Sequence, residues 1–183
     1  MISEEQKQKN LHLFFKKLND VGVNTDKLSS IYGDRLLNAT YSMQSDTNLA
    51  YDGSLLHTLL RTLTPLAINI NGLLNDDKII EVNTIVKICL LHQVSKCTMF
   101  EPNTNDWEIK NKGLIYKYAK YDAALKMGAR SIAMCSECGI ELTPIEVEAM
   151  MVLERDDEQA KYFSNTLSII VKQANELTNI QTK

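Results

Sequence analysis

Two histidines in the chain are each followed, one helical turn later, by a cation. His57 precedes Arg61, and His92 precedes Lys96. Because residues four apart share one face of a helix, each helix would present an imidazole and a positive side chain together. That pattern is compatible with a polar pocket between two helices, able to hold a metal ion or a phosphate. The alternative is that both are core histidines hydrogen-bonded to backbone; His12, on an amphipathic first helix, carries little weight.

The helices that would position these residues are predicted from apolar periodicity and from capping residues. Ser3 and Gln6 form a capping box before the first helix. Thr143, followed by Pro144 and Glu146, gives the clearest helix start in the chain. We expect helices over about 4–20, 25–39, 53–74, 77–96, 128–138, 144–153 and 160–178.

The remaining segments carry loop and turn residues. Pro65 should kink the third helix, and Gly139 is a natural residue to follow a helix end. Residues 97–112 contain Pro102 and several Asn and are predicted to be a loop, and a short strand at Tyr116–Tyr118 is left open. The sequence therefore predicts an all-α single domain of six or seven helices. We expect residues 1–44 to form a helical extension packed on a core formed by residues 45–183.

Composition narrows the function classes. The 183 residues carry 20 basic and 23 acidic side chains, scattered along the chain, for a net charge of −3. A duplex-DNA binder is therefore disfavoured, because no basic stripe is present. No apolar stretch is long enough to span a membrane, and the N-terminal residues lack the apolar core of a signal peptide. We expect a cytoplasmic protein with reduced thiols.

Several segments resemble, in order and spacing, the motifs of the HD-domain superfamily of all-α metal-dependent phosphohydrolases. They cover about residues 45–178 and are similar to HD-like proteins of phages and gut bacteria, which would imply a host cytoplasm if the chain is phage-encoded. The segments that carry the resemblance are 50–59 (AYDGSLLHTL), 91–96 (LHQVSK), 128–131 (GARS), 139–146 (GIELTPIE) and 172–177 (KQANEL).

The resemblance implies a divalent metal held by two His and two Asp, and the sequence departs from that set. His57 and His92 stand where the histidine ligands are expected, but Gln93 and Asn175 occupy the two Asp positions. An amide keeps the volume of a carboxylate without its charge, and carboxylates are what hold such a cation and acidify its bound water. Further ligand positions are occupied by Ala129 and Leu153. The resemblance therefore implies an incomplete metal site.

Two functions follow from this departure. The first is a non-catalytic HD-like module that binds a nucleotide or phosphate, or another protein, with Arg61, Lys96, Arg130, Gln93 and Asn175 as ligand-binding residues and no cofactor. The alternative is an active HD phosphohydrolase, in which a weak metal set activates water while Lys96 and Arg61 stabilise negative charge. A homo-oligomer using the tyrosine-rich segment after residue 115 is compatible with the first.

The cysteines offer a different metal site. Cys89 stands three residues before His92, and Cys135 stands three before Cys138, which are zinc-ligand spacings. Both pairs fall within helical pattern, whereas structural zinc sites more often use a turn. Buried thiols are therefore the expected state of these residues.

Overall fold

The structure, a computed structural model, describes residues 2–120, 124–154 and 164–181. The described chain is mostly helical with one small two-stranded sheet, so the predicted all-α class is confirmed. The elements are α1 (Glu4–Asp20), α2 (Asp26–Asn38), α3 (Ser54–Thr58), α4 (Thr64–Asn71), α5 (Val82–Leu91), α6 (Lys96–Met99), β1 (Phe100–Pro102), α7 (Asp106–Lys112), β2 (Tyr116–Tyr118), α8 (Met127–Glu137), α9 (Pro144–Met151) and α10 (Thr166–Gln181).

A single hydrophobic cluster joins the helices around α5. Ile85 and Ile88 of α5 are fully buried, and α4 and α10 pack against this helix and against each other. The first helix adds Phe14 and Leu18 to the same cluster. Each such side chain contributes roughly 1.5–3 kcal/mol by leaving water. The helices α4, α5 and α10 therefore form the centre of the core.

Pro65 is accommodated by a π-helical turn, Leu59–Leu63, that joins α3 to α4. The Thr64 amide donates to the carbonyl of Leu59, five residues back. A proline ring inside a regular α-helix collides with the carbonyl four residues earlier, and one extra residue in the turn relieves that collision. The helical path from Ser54 to Asn71 is thus continuous but widened where the sequence predicts a kink.

The prediction of a loop over residues 97–112 is wrong, because this segment contains a strand and a helix. β1 and β2 pair in antiparallel register, with Phe100 opposite Tyr118, and α7 lies between them. One of the asparagines that suggest a loop is a helix cap: the Asn105 side chain accepts from the amides of Trp107 and Glu108. Gly113 then ends α7 at a positive φ of 63°.

The predicted helix over 77–96 is shorter at both ends. The Asn71 side chain donates to the Ile80 carbonyl and accepts from the Ile80 amide, both at 2.9 Å. This pair of bonds holds the chain extended, so α5 begins only at Val82. It ends at Leu91, and a turn leads to Lys96 at the start of α6. His92 and Lys96 are therefore separated by this turn rather than carried on one regular helix.

The capping predictions around α8 and α9 are confirmed. Gly139 follows α8 at φ 73°, and Thr143 and Glu146 form the reciprocal capping box at the start of α9. Glu146 also pairs with Lys87 of α5 at 2.8 Å, which ties α9 to the central helix. The predicted start of the last helix, at about residue 160, lies outside the described residues. Among the described helices, none is long and apolar enough to cross a membrane.

Candidate ligand-binding cavity

A cavity of about 270 Å³ opens between the turn that follows α5, the loop that follows α2, and α10. Its volume is slightly below the range for small-molecule sites, about 300–1,000 Å³. Gln93 and Lys96 come from the turn, Tyr41 from the loop and Asn175 from α10. The other lining residues are Ser42, Thr47, Leu49, Met127, Leu153, Glu176 and Asn179.

The imidazole of His92 lies beneath this cavity and is fully buried. Its Nδ1 is 3.0 Å from the Cys89 carbonyl and 3.2 Å from the Ile88 carbonyl. Because a carbonyl oxygen only accepts, Nδ1 carries the proton. Burial lowers the pKa of His92 to about 4, so the ring is neutral near pH 7 and its Nε2 is an acceptor.

The amides of Gln93 and Asn175 complete a network around this imidazole. Asn175 Nδ2 donates to the Val171 carbonyl at 2.8 Å, which fixes the orientation of that amide and leaves its oxygen as an acceptor. Gln93 Nε2 donates to this oxygen, and it also lies 2.8 Å from His92 Nε2. The nitrogen of Gln93 is thus turned toward two acceptors. Its Oε1 has no hydrogen-bond partner among the described residues, although Gln93 is 1% exposed.

Lys96 places its ammonium against Tyr41. Nζ donates to the Tyr41 carbonyl at 2.7 Å and lies 3.7 Å from the centre of the Tyr41 ring. Within the described chain no carboxylate lies within 4 Å of this nitrogen. Glu176, which is exposed, also lines the cavity. Burial lowers the pKa of Lys96 to about 7.

The other predicted site residues lie elsewhere. His57 is on α3 and contacts α1, where its Nδ1 is 3.5 Å from Asn10 Nδ2; burial and then the charge of Arg61 lower its pKa. Arg61 is exposed, and neither it nor His57 lines the cavity. Arg130 donates from Nε to the Leu125 carbonyl and lines a second cavity, beside α2.

The structure therefore brings together His92, Gln93, Lys96 and Asn175 from the predicted set. His57 lies on α3 and Arg61 in the π-helical turn that follows it, and neither residue lines this cavity. Tyr41, which supports Lys96, was not predicted, because it lies in a segment without periodicity. Only the expectation that a cation needs a nearby acceptor or aromatic face could have pointed to it.

The donor set does not present the metal site that the resemblance implies. His92 Nε2 faces N–H groups of Gln93 and Asn175, and the Asn175 oxygen already accepts a hydrogen bond. Among the described residues, no group of three or more His, Cys, Asp or Glu side chains is placed to hold a metal ion.

The cysteines likewise do not form the alternative zinc site. Cys89 and Cys135 are fully buried and Cys138 nearly so, and the four described thiols are all free. Burial raises the pKa of Cys135 to about 12, so it is a protonated thiol near neutral pH. Cys89, His92, Cys135 and Cys138 do not form a ligand group.

Comparison with known proteins adds no constraint on this cavity: no family model, curated protein or solved structure matches the chain. Its chemistry is therefore argued from the side chains alone.

Proposed function

We propose that the chain is a non-catalytic, HD-like binding module whose cavity takes a phosphate-containing anion such as a nucleotide. One observation carries this proposal. Lys96 brings an ammonium group to the cavity wall, and no carboxylate of the described chain lies within 4 Å of it.

Burying the Lys96 ammonium is electrostatically unfavourable, and this supports the proposal that an anion binds beside it. A cation that is taken out of water without a counter-ion is disfavoured, which is why the pKa of Lys96 falls to about 7. A bound phosphate would supply the missing charge and a strong hydrogen bond, worth roughly 1.5–3 kcal/mol. By linkage, binding would raise the pKa of Lys96, so affinity should fall as pH rises above about 7.

The amides support a binding role over a hydrolytic one. Gln93 and Asn175 cannot take a proton from water at any ordinary pH, and their N–H groups are used in bonds to each other, to His92 and to the Val171 carbonyl. The neutral imidazole of His92 lies within this network, and both of its nitrogens are engaged in hydrogen bonds.

The test is a thermal-shift and calorimetric screen of inorganic phosphate and nucleotides near pH 6.5, with Lys96→Met and Arg61→Met as matched variants. Both variants remove one cation, but only Lys96 lines the cavity. We expect a phosphate-containing ligand to raise the Tm of the wild type and of Arg61→Met and to leave Lys96→Met unshifted. No shift with any ligand, or an equal shift in Lys96→Met, would overturn the proposal.

The non-catalytic part is tested separately. The same protein, supplied with manganese or magnesium, should release no phosphate from p-nitrophenyl phosphate or from nucleotides above the rate of the Lys96→Met variant. Turnover that is lost in His92→Ala but kept in His12→Ala would instead support the phosphohydrolase alternative.

A further inference from the structure

The wall of the cavity carries two opposite charges. Among its lining residues in the described chain, Lys96 is the only lysine or arginine and Glu176 is the only aspartate or glutamate. Lys96 stands at the start of α6, and Glu176 stands on α10. The two charges therefore reach one cavity from different parts of the fold.

These two charges are not paired with each other. No oxygen of Glu176 lies within 4 Å of Lys96 Nζ, and neither residue forms an ion pair within the described chain. Glu176 is exposed, so its carboxylate is accessible to a molecule that enters the cavity. Lys96 is partly exposed, and its Nζ is held by the Tyr41 carbonyl. A ligand can therefore contact one charge without displacing the other.

A purely anionic ligand uses only one of these charges. It is attracted by Lys96 and repelled by Glu176, whereas a ligand with a negative group at one end and a positive group at the other is attracted by both. The apolar side chains of Leu49, Met127 and Leu153 also line the cavity and suit a short hydrocarbon linker between the two groups.

We propose that the cavity binds a small zwitterionic phosphate, namely a phosphate monoester whose short alkyl chain ends in an ammonium group. The phosphate accepts from Lys96, and the ammonium group pairs with Glu176. The inference rests on the proposed anion-binding function and specifies its ligand. The cavity volume of about 270 Å³ favours a ligand of this size over a larger one.

The experiment is isothermal titration calorimetry at about pH 6.5 with 2-aminoethyl phosphate and n-propyl phosphate, both of which are largely ionised there. The two ligands have the same number of non-hydrogen atoms and the same phosphate group, but only the first has an ammonium group. Each is titrated into the wild type, Glu176→Gln and Glu141→Gln. Glu141 is also exposed, but it lines a different cavity, beside α8 and α9.

The quantity compared is the affinity for aminoethyl phosphate divided by the affinity for propyl phosphate, because differences between the ligands themselves cancel when this ratio is compared between proteins. An ion pair with an exposed carboxylate is weak, so we expect the ratio to be about threefold to fivefold higher in the wild type than in Glu176→Gln. Glu141→Gln should keep the wild-type ratio. Added salt should lower the wild-type ratio, since it screens an exposed charge.

Each contrary outcome has a distinct meaning. If both ligands bind and the ratio is the same in the wild type and in Glu176→Gln, the zwitterionic ligand is overturned and the proposed function stands. An equal fall of the ratio in Glu141→Gln would also overturn it, because net charge would then explain the effect. Binding of inorganic phosphate without binding of aminoethyl phosphate would overturn this inference alone. Absence of binding by both esters and by inorganic phosphate would overturn the proposed function and the inference with it.

Discussion

Replacing Lys96 by Met should stabilise the protein at mildly acidic pH. Methionine keeps the unbranched, apolar length of the lysine side chain and removes the ammonium. The folded protein holds that amine at a pKa of about 7, whereas the unfolded chain holds it at the ordinary value of 10.5. Below pH 7 the folded state must therefore carry a proton that it binds more weakly than the unfolded state does.

The size of the effect follows from the two pKa values. Their difference corresponds to roughly 5 kcal/mol of destabilisation below pH 7, at about 1.4 kcal/mol for each pH unit. The hydrogen bond and the ring contact that Lys96 makes with Tyr41 offset about 1–2 kcal/mol of the gain on substitution. We expect Lys96→Met to be more stable than the wild type by about 3 kcal/mol near pH 6.

The assay is urea unfolding of both proteins at a series of pH values between 6 and about 10. Because the pKa of Lys96 is lower in the folded state than in the unfolded chain, wild-type stability should rise with pH between about 7 and 10.5. The stability advantage of Lys96→Met should therefore shrink over that pH window. Other titrating groups cancel in the difference between the two proteins. A difference that stays flat with pH would show that Lys96 keeps its ordinary pKa, and the argument from a desolvated cation would fail.

Three further results are expected. The imidazole of His92 should not titrate by NMR between about pH 5 and 8, and stability should fall as pH drops from 6.5 toward 4, because burial lowers its pKa to about 4; a midpoint near 6.5 would contradict its burial. Asn175→Ala should cost about 2–3 kcal/mol in urea unfolding by orphaning its buried partners, whereas the exposed Gln173→Ala on the same helix should change stability by less than about 0.5 kcal/mol. Gly128→Ala should lower the free energy of unfolding by about 1–3 kcal/mol, because a Cβ there meets a backbone carbonyl of α9. Gly33→Ala, inside α2, should raise the free energy of unfolding by about 0.5–1 kcal/mol. Equal effects of the two substitutions would refute the packing described between α8 and α9.

Local features of the fold are predictable from the sequence because few residues determine them. The capping box of Thr143 and Glu146 and the glycine at 139 depend on four or five neighbouring positions, and the structure has them where they are expected. The start of α5 is different. It is delayed by the bonds between Asn71 and Ile80, and no periodicity in the sequence reports which asparagine will reach which backbone group.

In the candidate site, too, local spacing is predictable from the sequence, whereas contacts between distant segments are not. Helical spacing predicts that His57 and Arg61 share a face, but it does not say which neighbouring helix that face meets, and His57 meets α1. Gln93 and Asn175 were singled out from the resemblance to HD-domain motifs, and their side chains lie in hydrogen-bond contact although 82 residues separate them. The orientation of those amides, and hence the unpaired oxygen of Gln93, depends on backbone carbonyls that sequence alone does not place.

The central claim is that a phosphate-type anion binds at Lys96, and chemical-shift mapping tests it most directly. Amide and lysine side-chain resonances of the full chain would be followed during titration with inorganic phosphate near pH 6.5. We predict that saturable shifts cluster at Tyr41, Gln93, Lys96 and Asn175, which line the cavity, and that Arg61 is unaffected. Shifts centred on Arg61, or no saturable shift at the cavity residues, would contradict the account.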